Sequence, residues 1–100
     1  MIGTLGLAKR ARKLITGTDS VIKGLQKDQV KLVVLSSLAS DNTKKTVIDK
    51  SSYYQVEVIL IDDYDLNRAI GKTGIKVVGI TDDGFKKVLL TKKGMWYYAK

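Results

Sequence analysis

Apolar residues along the 100-residue chain fall into two alternating patterns. Short runs rich in β-branched residues, KLVVL (31–35), VEVILI (56–61) and IKVVGI (75–80), have the length of strands. Their near-continuous apolar character fits strands covered on both faces. Between them, apolar positions recur every three or four residues, which marks a helix with one buried face.

The spacing predicts a first helix over 2–15, with Leu5, Ala8, Ala11 and Ile15 on its inner face and Arg10, Arg12 and Lys13 mostly elsewhere. A second covers 18–27 through Val21, Ile22 and Leu25, and a third covers 40–54 through Val47 and Ile48. The fourth, DDYDLNRAIG (62–71), opens on acids and closes on Gly71, as helix starts and stops do. The fifth, TDDGFKKVLL (81–90), carries Phe85, Val88 and Leu89 as its stripe. Helices alternating with buried strands imply a layered α/β/α sandwich around a largely parallel sheet. Three strands are explicit. A fourth is to be sought around Thr16 and Gly17, between the first two helices.

Composition narrows the chemistry. The length suits one domain, and the chain contains no cysteine, histidine or proline. Disulfides are therefore excluded, along with histidine acid–base chemistry and most structural zinc sites. The amino terminus is too polar for a secretory signal, and no window approaches the apolar run of a membrane span. A cytoplasmic protein with no membrane partner is the expectation. Eighteen basic residues against ten acidic give +8. Residues 1–50 hold ten basic and four acidic side chains, net +6, and residues 51–100 hold eight and six, net +2. Such a balance suits a polyanion partner, though it also serves solubility.

Four stretches invite a chemical reading. AIGKTG (69–74) resembles part of a phosphate loop, but Leu66 occupies the place of that motif's first glycine. Its context is also reversed, with a helix before it and a strand after. The acids of DDYD (62–65) and DD (82–83) stand where helices begin, so they read as caps rather than metal ligands. MWYY (95–98), near Lys92, Lys93 and Lys100, can stack on bases or fold back to cover an apolar edge. GTDSVIK (17–23) is a helix start with Thr18 or Asp19 as its cap. The basic segment KRARK (9–13), Lys23 and Lys27 surround it, which also makes it a candidate phosphate or base-edge reader.

These residues carry a resemblance. GLAKRARKLITGTDSVIKGLQKDQVKLVVLSSLASDNTKKTVIDKSSYYQVEVILI, then LNRAIGK and VVGITDDGF, resemble in order the ribosomal L7Ae/L30e superfamily of kink-turn RNA binders, most of all its small bacterial YlxQ-like members. The likeness runs from Leu5 to Leu90. It implies a three-layer α/β/α sandwich with a four-stranded mixed sheet, formed by residues 1–91 as an RNA-binding domain. Residues 92–100 would be an aromatic and basic C-terminal tail.

In the family, a glycine and the amino end of the second helix enter the RNA major groove at tandem G·A pairs, with the pattern Gly-Thr-Asn-Glu and then a lysine. Here that reads Gly17, Thr18, Asp19, Ser20 and Lys23. Asp19 in place of asparagine gives up an amide donor, and Ser20 in place of glutamate gives up an acceptor. The family's second contact, near a flipped-out nucleotide, corresponds to Lys72, Thr73, Gly74 and Ile75, with Arg68 and Lys72 reaching backbone. Ser40 to Lys45 would line the same face, with Lys44 and Lys45 on phosphates. The resemblance implies binding to structured RNA such as ribosomal RNA, in association with the ribosome or translation, and a monomer is the expectation. No constellation of residues in the sequence supports catalysis, and no metal or cofactor is expected. The alternative is a protein-interaction module of the same fold with a degenerate RNA site.

Overall fold

The apolar runs do form strands, and the chain order is α1 (Ile2–Arg10), β1 (Leu14–Thr16), α2 (Thr18–Gln26), β2 (Leu32–Ser36), α3 (Asp41–Tyr53), β3 (Glu57–Ile61), α4 (Asp63–Ile70), β4 (Val77–Ile80), α5 (Asp83–Thr91) and β5 (Tyr97–Tyr98). The computed structural model describes residues 2–91 and 97–98. The sheet order is β1-β4-β2-β3-β5. β1 and β2 each pair antiparallel with β4, whereas β2 and β3 pair parallel. The first four strands thus make the expected mixed sheet, and β5 adds a short antiparallel edge beside β3. Met95, Trp96 and the lysines around them lie outside the described residues.

Alternation on the strands builds two cores. Leu32 and Val34 face a layer containing Leu5, Ala8, Leu66 and Leu89, contributed by α1, α4 and α5. Val33 and Leu35 face the other layer, where α2 and α3 supply Val21, Leu25 and Val47. β2 is buried along its whole length because both faces are covered. Each such Val or Leu contributes about 1.5–3 kcal/mol by leaving water.

Three sequence expectations fail for physical reasons. The first helix stops at Arg10, and the fourth strand is Leu14–Thr16. The Arg12 amide donates to the Lys9 carbonyl (3.0 Å) and the Lys13 amide to the Ala8 carbonyl (2.8 Å), closing the helix with Arg12 at φ 58°. This is the usual glycine-type stop made without glycine. Ala11 is consequently exposed. Ile15, whose spacing mimics a helix, packs from the strand against the α2/α3 side, while Leu14 packs against the other side. Adjacent strands are also not largely parallel, since β4 inserts antiparallel between β1 and β2. In α5 the inner stripe is Phe85 and Leu89, and Val88 remains 42% exposed.

The strand directions fix one edge of the sheet. β1, β2 and β3 run the same way, so their ends at Thr16, Ser36 and Ile61 lie on one edge, where α2, α3 and α4 begin. β4 runs oppositely and starts there too, with Val77 opposite Leu35.

Two local arrangements hold the layers together, one at each end of the sheet. Val30 is wedged between Gly24 of α2 and Gly79 of β4. A Cβ on Gly24 would stand 2.7 Å from one Val30 methyl, and one on Gly79 would stand 2.9 Å from it. α2 therefore lies close to the sheet. At the edge where the helices start, Asp63 accepts from the Ser36 hydroxyl and from Lys76 Nζ at 2.8 Å, tying the end of β2 to the segment that enters β4. Lys76 and Ser36 hold the Asp63 carboxyl below its ordinary range, against the opposing effect of partial burial.

Gly24→Ala is expected to lower stability by about 1–3 kcal/mol through overpacking, despite alanine's helix preference of roughly 1 kcal/mol. Urea unfolding reads the difference, and unchanged or increased stability would contradict the wedge. Because the folded Asp63 pKa is depressed, its contribution is present above the unfolded value and lost as pH falls through the folded one. Wild type should therefore exceed Asp63→Asn by about 1 kcal/mol at pH 7, a small value because the pair is partly exposed, and the gap should close on acidification below about pH 4. Thermal melts of both proteins across pH 2–7 check this, and a gap independent of pH would contradict it.

Candidate nucleic-acid interface

Four helix starts can be compared, and one differs. Ser40 accepts from the Thr43 amide (3.1 Å) to cap α3, Asp62 from the Asp65 amide (3.3 Å) to cap α4, and Asp82 from the Phe85 amide (3.0 Å) at the start of α5. Of the acids in DDYD and DD, Asp62 and Asp82 thus act on backbone amides. At α2 the cap position is Gly17, and no side chain caps it. Neither Thr18 nor Asp19 takes the cap role expected from sequence, because both are already inside the helix.

The reason lies in the backbone. Gly17 has φ 98° and ψ 143°, a conformation that disfavours any side chain. Its amide donates to the Val77 carbonyl (3.0 Å), and its carbonyl accepts from the Val21 amide (3.0 Å). The chain must enter α2 at Gly17, so the amides of Thr18, Asp19 and Ser20 have no partner within the helix. Asp19, Ser20 and Lys23 are exposed, and Thr18 is half-buried. The positive end of a helix is left open to an external acceptor.

The bond from Gly17 to Val77 places this start beside the segment between α4 and β4. α4 ends at Gly71 in the left-handed region, with Lys9 Nζ donating to the Ile70 carbonyl. One residue then sets the path back to the sheet. The Asn67 carbonyl accepts from the Gly71 (2.8 Å) and Lys72 (3.1 Å) amides. Its side-chain oxygen accepts from the Ile75 amide (2.7 Å), and its nitrogen donates to the carbonyls of Asp63 (2.8 Å) and Ile75 (3.2 Å). Asn67 thereby holds both ends of Lys72, Thr73 and Gly74, which project into solvent.

That projecting loop, α4 and the Ser37–Leu38 turn bound a groove of about 690 Å3. Arg68, Lys72, Thr73 and Gly74 line it together, as do Asp62 and Asp63. Ile75 does not protrude; it is half-buried and packs on the α1/α4/α5 core. The apolar groups presented to solvent are instead Leu38 and Tyr64, each 68% exposed. Lys44, half-buried, and the exposed Lys45 lie in α3, which starts at the same edge, but neither lines the groove. The expected residues thus form two groups astride one edge: Gly17 to Lys23 on the α2 side, and Arg68 with the loop on the α4 side.

Asn67 and Leu38 were not singled out from sequence. An asparagine inside a helix is a poor helix former, which usually means its side chain bonds elsewhere. Leu38 interrupts the small polar residues of SSLAS, where nothing apolar is needed to build a turn.

Comparison with known proteins gives a consistent result. The sequence model of the ribosomal protein L7Ae/L30e/S12e/Gadd45 family matches residues 1–90. RNA-binding protein YlxQ of Bacillus subtilis (strain 168) is 46% identical over 88 residues, covering 87% of this chain and 88% of that protein. Large ribosomal subunit protein eL30 of Sulfolobus acidocaldarius is 32% identical over 90 residues, covering 87% and 86%. A solved structure of a protein with unknown function from Bacillus halodurans C superposes with a TM-score of 0.86 at 45% identity, over 90% of this chain and 92% of that one. The chain belongs to the ribosomal protein L7Ae/L30e/S12e/Gadd45 family.

Proposed function

We propose that this protein binds structured RNA at a kink-turn or related internal loop, through Gly17–Lys23 and the Lys72–Ile75 loop acting as one surface. The observation that carries this is the uncapped start of α2, joined by the Gly17–Val77 hydrogen bond to the loop that Asn67 holds. The amides of Thr18, Asp19 and Ser20 donate to acceptors on the RNA, while Gly17 lets a strand approach the backbone. Asp19 can only accept, so it suits exocyclic amino groups of bases. Ser20 can donate or accept. Lys23, Arg68 and Lys72 neutralise phosphates, with Lys44 and Lys45 extending the positive field.

The names of the relatives, an RNA-binding protein and a large-subunit ribosomal protein, support the same reading. It places the protein in the cytoplasm as a monomeric partner of ribosomal or translation-linked RNA. The chemistry is binding, with no catalytic step, metal or cofactor. A second reading, docking of a protein partner, draws on Leu38 and Tyr64 standing exposed beside the groove. The RNA reading predicts shape selectivity, which a protein-docking surface has no cause to show.

Lys23→Ala is expected to weaken binding to a kink-turn RNA by about tenfold near 0.1 M salt, as loss of a charge-assisted contact implies, and to flatten the salt dependence. Titration against that RNA and a matched straight duplex reads this directly. Equal, salt-sensitive affinity of wild type for both RNAs would sink the kink-turn reading. Asn67→Ala is expected to cost about 1–2 kcal/mol of stability through its lost hydrogen bonds and to accelerate exchange of the Ile75 amide. Affinity for the kinked RNA should fall with the loop's order, while a straight duplex is bound as before. An equal fall for both RNAs would make Asn67 a purely structural residue.

A further inference from the structure

A second groove, of about 600 Å3, lies between α1 and α4. It shares Arg68 and Gly71 with the groove beside the projecting loop, so the two meet at the end of α4. Its charged lining is exclusively basic: Lys9, Arg10 and Arg68. Among the described residues the only ion pair joins Lys76 and Asp63, which leaves both guanidinium groups without a carboxylate.

The floor is made of backbone and small side chains. A Cβ added at Gly6 would stand 3.6 Å from the Ala69 carbonyl, and the space beside Gly3 is open. Leu7, 56% exposed, supplies an apolar rim. The carbonyl end of α4 would ordinarily repel an anion here, but Lys9 Nζ donates to the Ile70 carbonyl and offsets that end with positive charge.

From this arrangement we infer that the α1/α4 groove is a second RNA contact, which takes the sugar–phosphate backbone of a single strand leaving the surface formed by Gly17–Lys23 and Lys72–Ile75. The inference rests on the RNA reading above, which it extends to Arg10 and Leu7. Arginine's planar fork suits phosphate oxygens, and Leu7, lining the same groove, offers an apolar surface against which a ribose or base can lie. The absence of any acid on this wall contrasts with the first groove, where Asp62 and Asp63 stand. Backbone therefore fits the second groove better than the first.

The test compares a compact kink-turn RNA with the same RNA carrying a single-stranded extension of about ten nucleotides at either end, a span within ordinary single-strand site sizes. Wild type and Arg10→Gln are both measured. Arg10 is exposed at the end of α1, so the variant should keep the fold, which circular dichroism checks. An extension at one end should tighten wild-type binding by several fold to about tenfold at 0.1 M salt, and Arg10→Gln should remove much of that gain while lowering the salt slope by about 0.7, the value for one single-strand contact. Binding of the compact RNA should fall far less than binding of the extended RNA.

A gain of equal size in both proteins, or no gain at all, would overturn the proposal. So would Arg10-dependent binding of an oligoglutamate peptide without any gain from the extension, because the groove would then take acidic protein segments. If the compact RNA fails to bind while the extension alone binds in an Arg10-dependent way, the kink-turn reading falls and the groove stands. If neither binds, both fall.

Discussion

The hydrogen bond from the Gly17 amide to the Val77 carbonyl joins two segments far apart in sequence, and the geometry of the candidate interface depends on it. It is available because β1 ends where β4 begins, a consequence of β4 running antiparallel between β1 and β2. The bond commits the Gly17 amide to the sheet and fixes the residue at φ 98°. α2 must then begin at Thr18, and its first amides are turned outward without a cap. The same antiparallel entry brings the α4–β4 loop to the edge where three helices start. Two contacts on opposite faces of the sheet thereby become neighbours.

Electrostatics follow from where the acids stand. Asp62 and Asp82 accept from backbone amides at helix starts, and Asp63 is engaged by Ser36 and Lys76. These carboxylates serve the fold, and among the described residues the only ion pair joins Lys76 and Asp63. The net charge of +8 therefore acts as a surface field rather than as internal pairs. Such a field supplies affinity for phosphates but little selectivity, which has to come from shape. Here shape is set by rigid features: Gly17 held to the sheet, Asn67 clamping the loop, and Val30 packed against Gly24 and Gly79.

Much of this was legible in the sequence. The three β-branched runs became strands, and most helix starts fell where small polar or acidic residues precede an apolar stripe. The exceptions have clear causes. α1 ends through Arg12 in a left-handed conformation that side chains seldom adopt, so the sequence carries no glycine to mark the stop. Ile15 continues the helical spacing only by coincidence, since it packs from a strand. Strand order was hidden because a helix followed by a strand usually signals a parallel crossover. In this chain the short α4 and the segment after it return the backbone to the edge it had left. The residues 17–23 and 72–75 drew attention through charge, glycine and family likeness. Asn67 did not, because its role depends on a loop path that no local pattern encodes. The missing cap on α2 was equally hidden, since Thr18 and Asp19 are good capping residues displaced inward by the tie to Val77.

The central claim is that the open amides of α2 and the loop held by Asn67 form one surface for structured RNA. The most direct measurement is an amide chemical-shift titration of isotope-labelled protein with a kink-turn RNA. The amides of Thr18, Asp19 and Ser20 and those of Lys72 to Ile75 should move together, saturating at one equivalent of RNA. Saturable shifts elsewhere on the chain, with both of these segments unmoved, would contradict the claim.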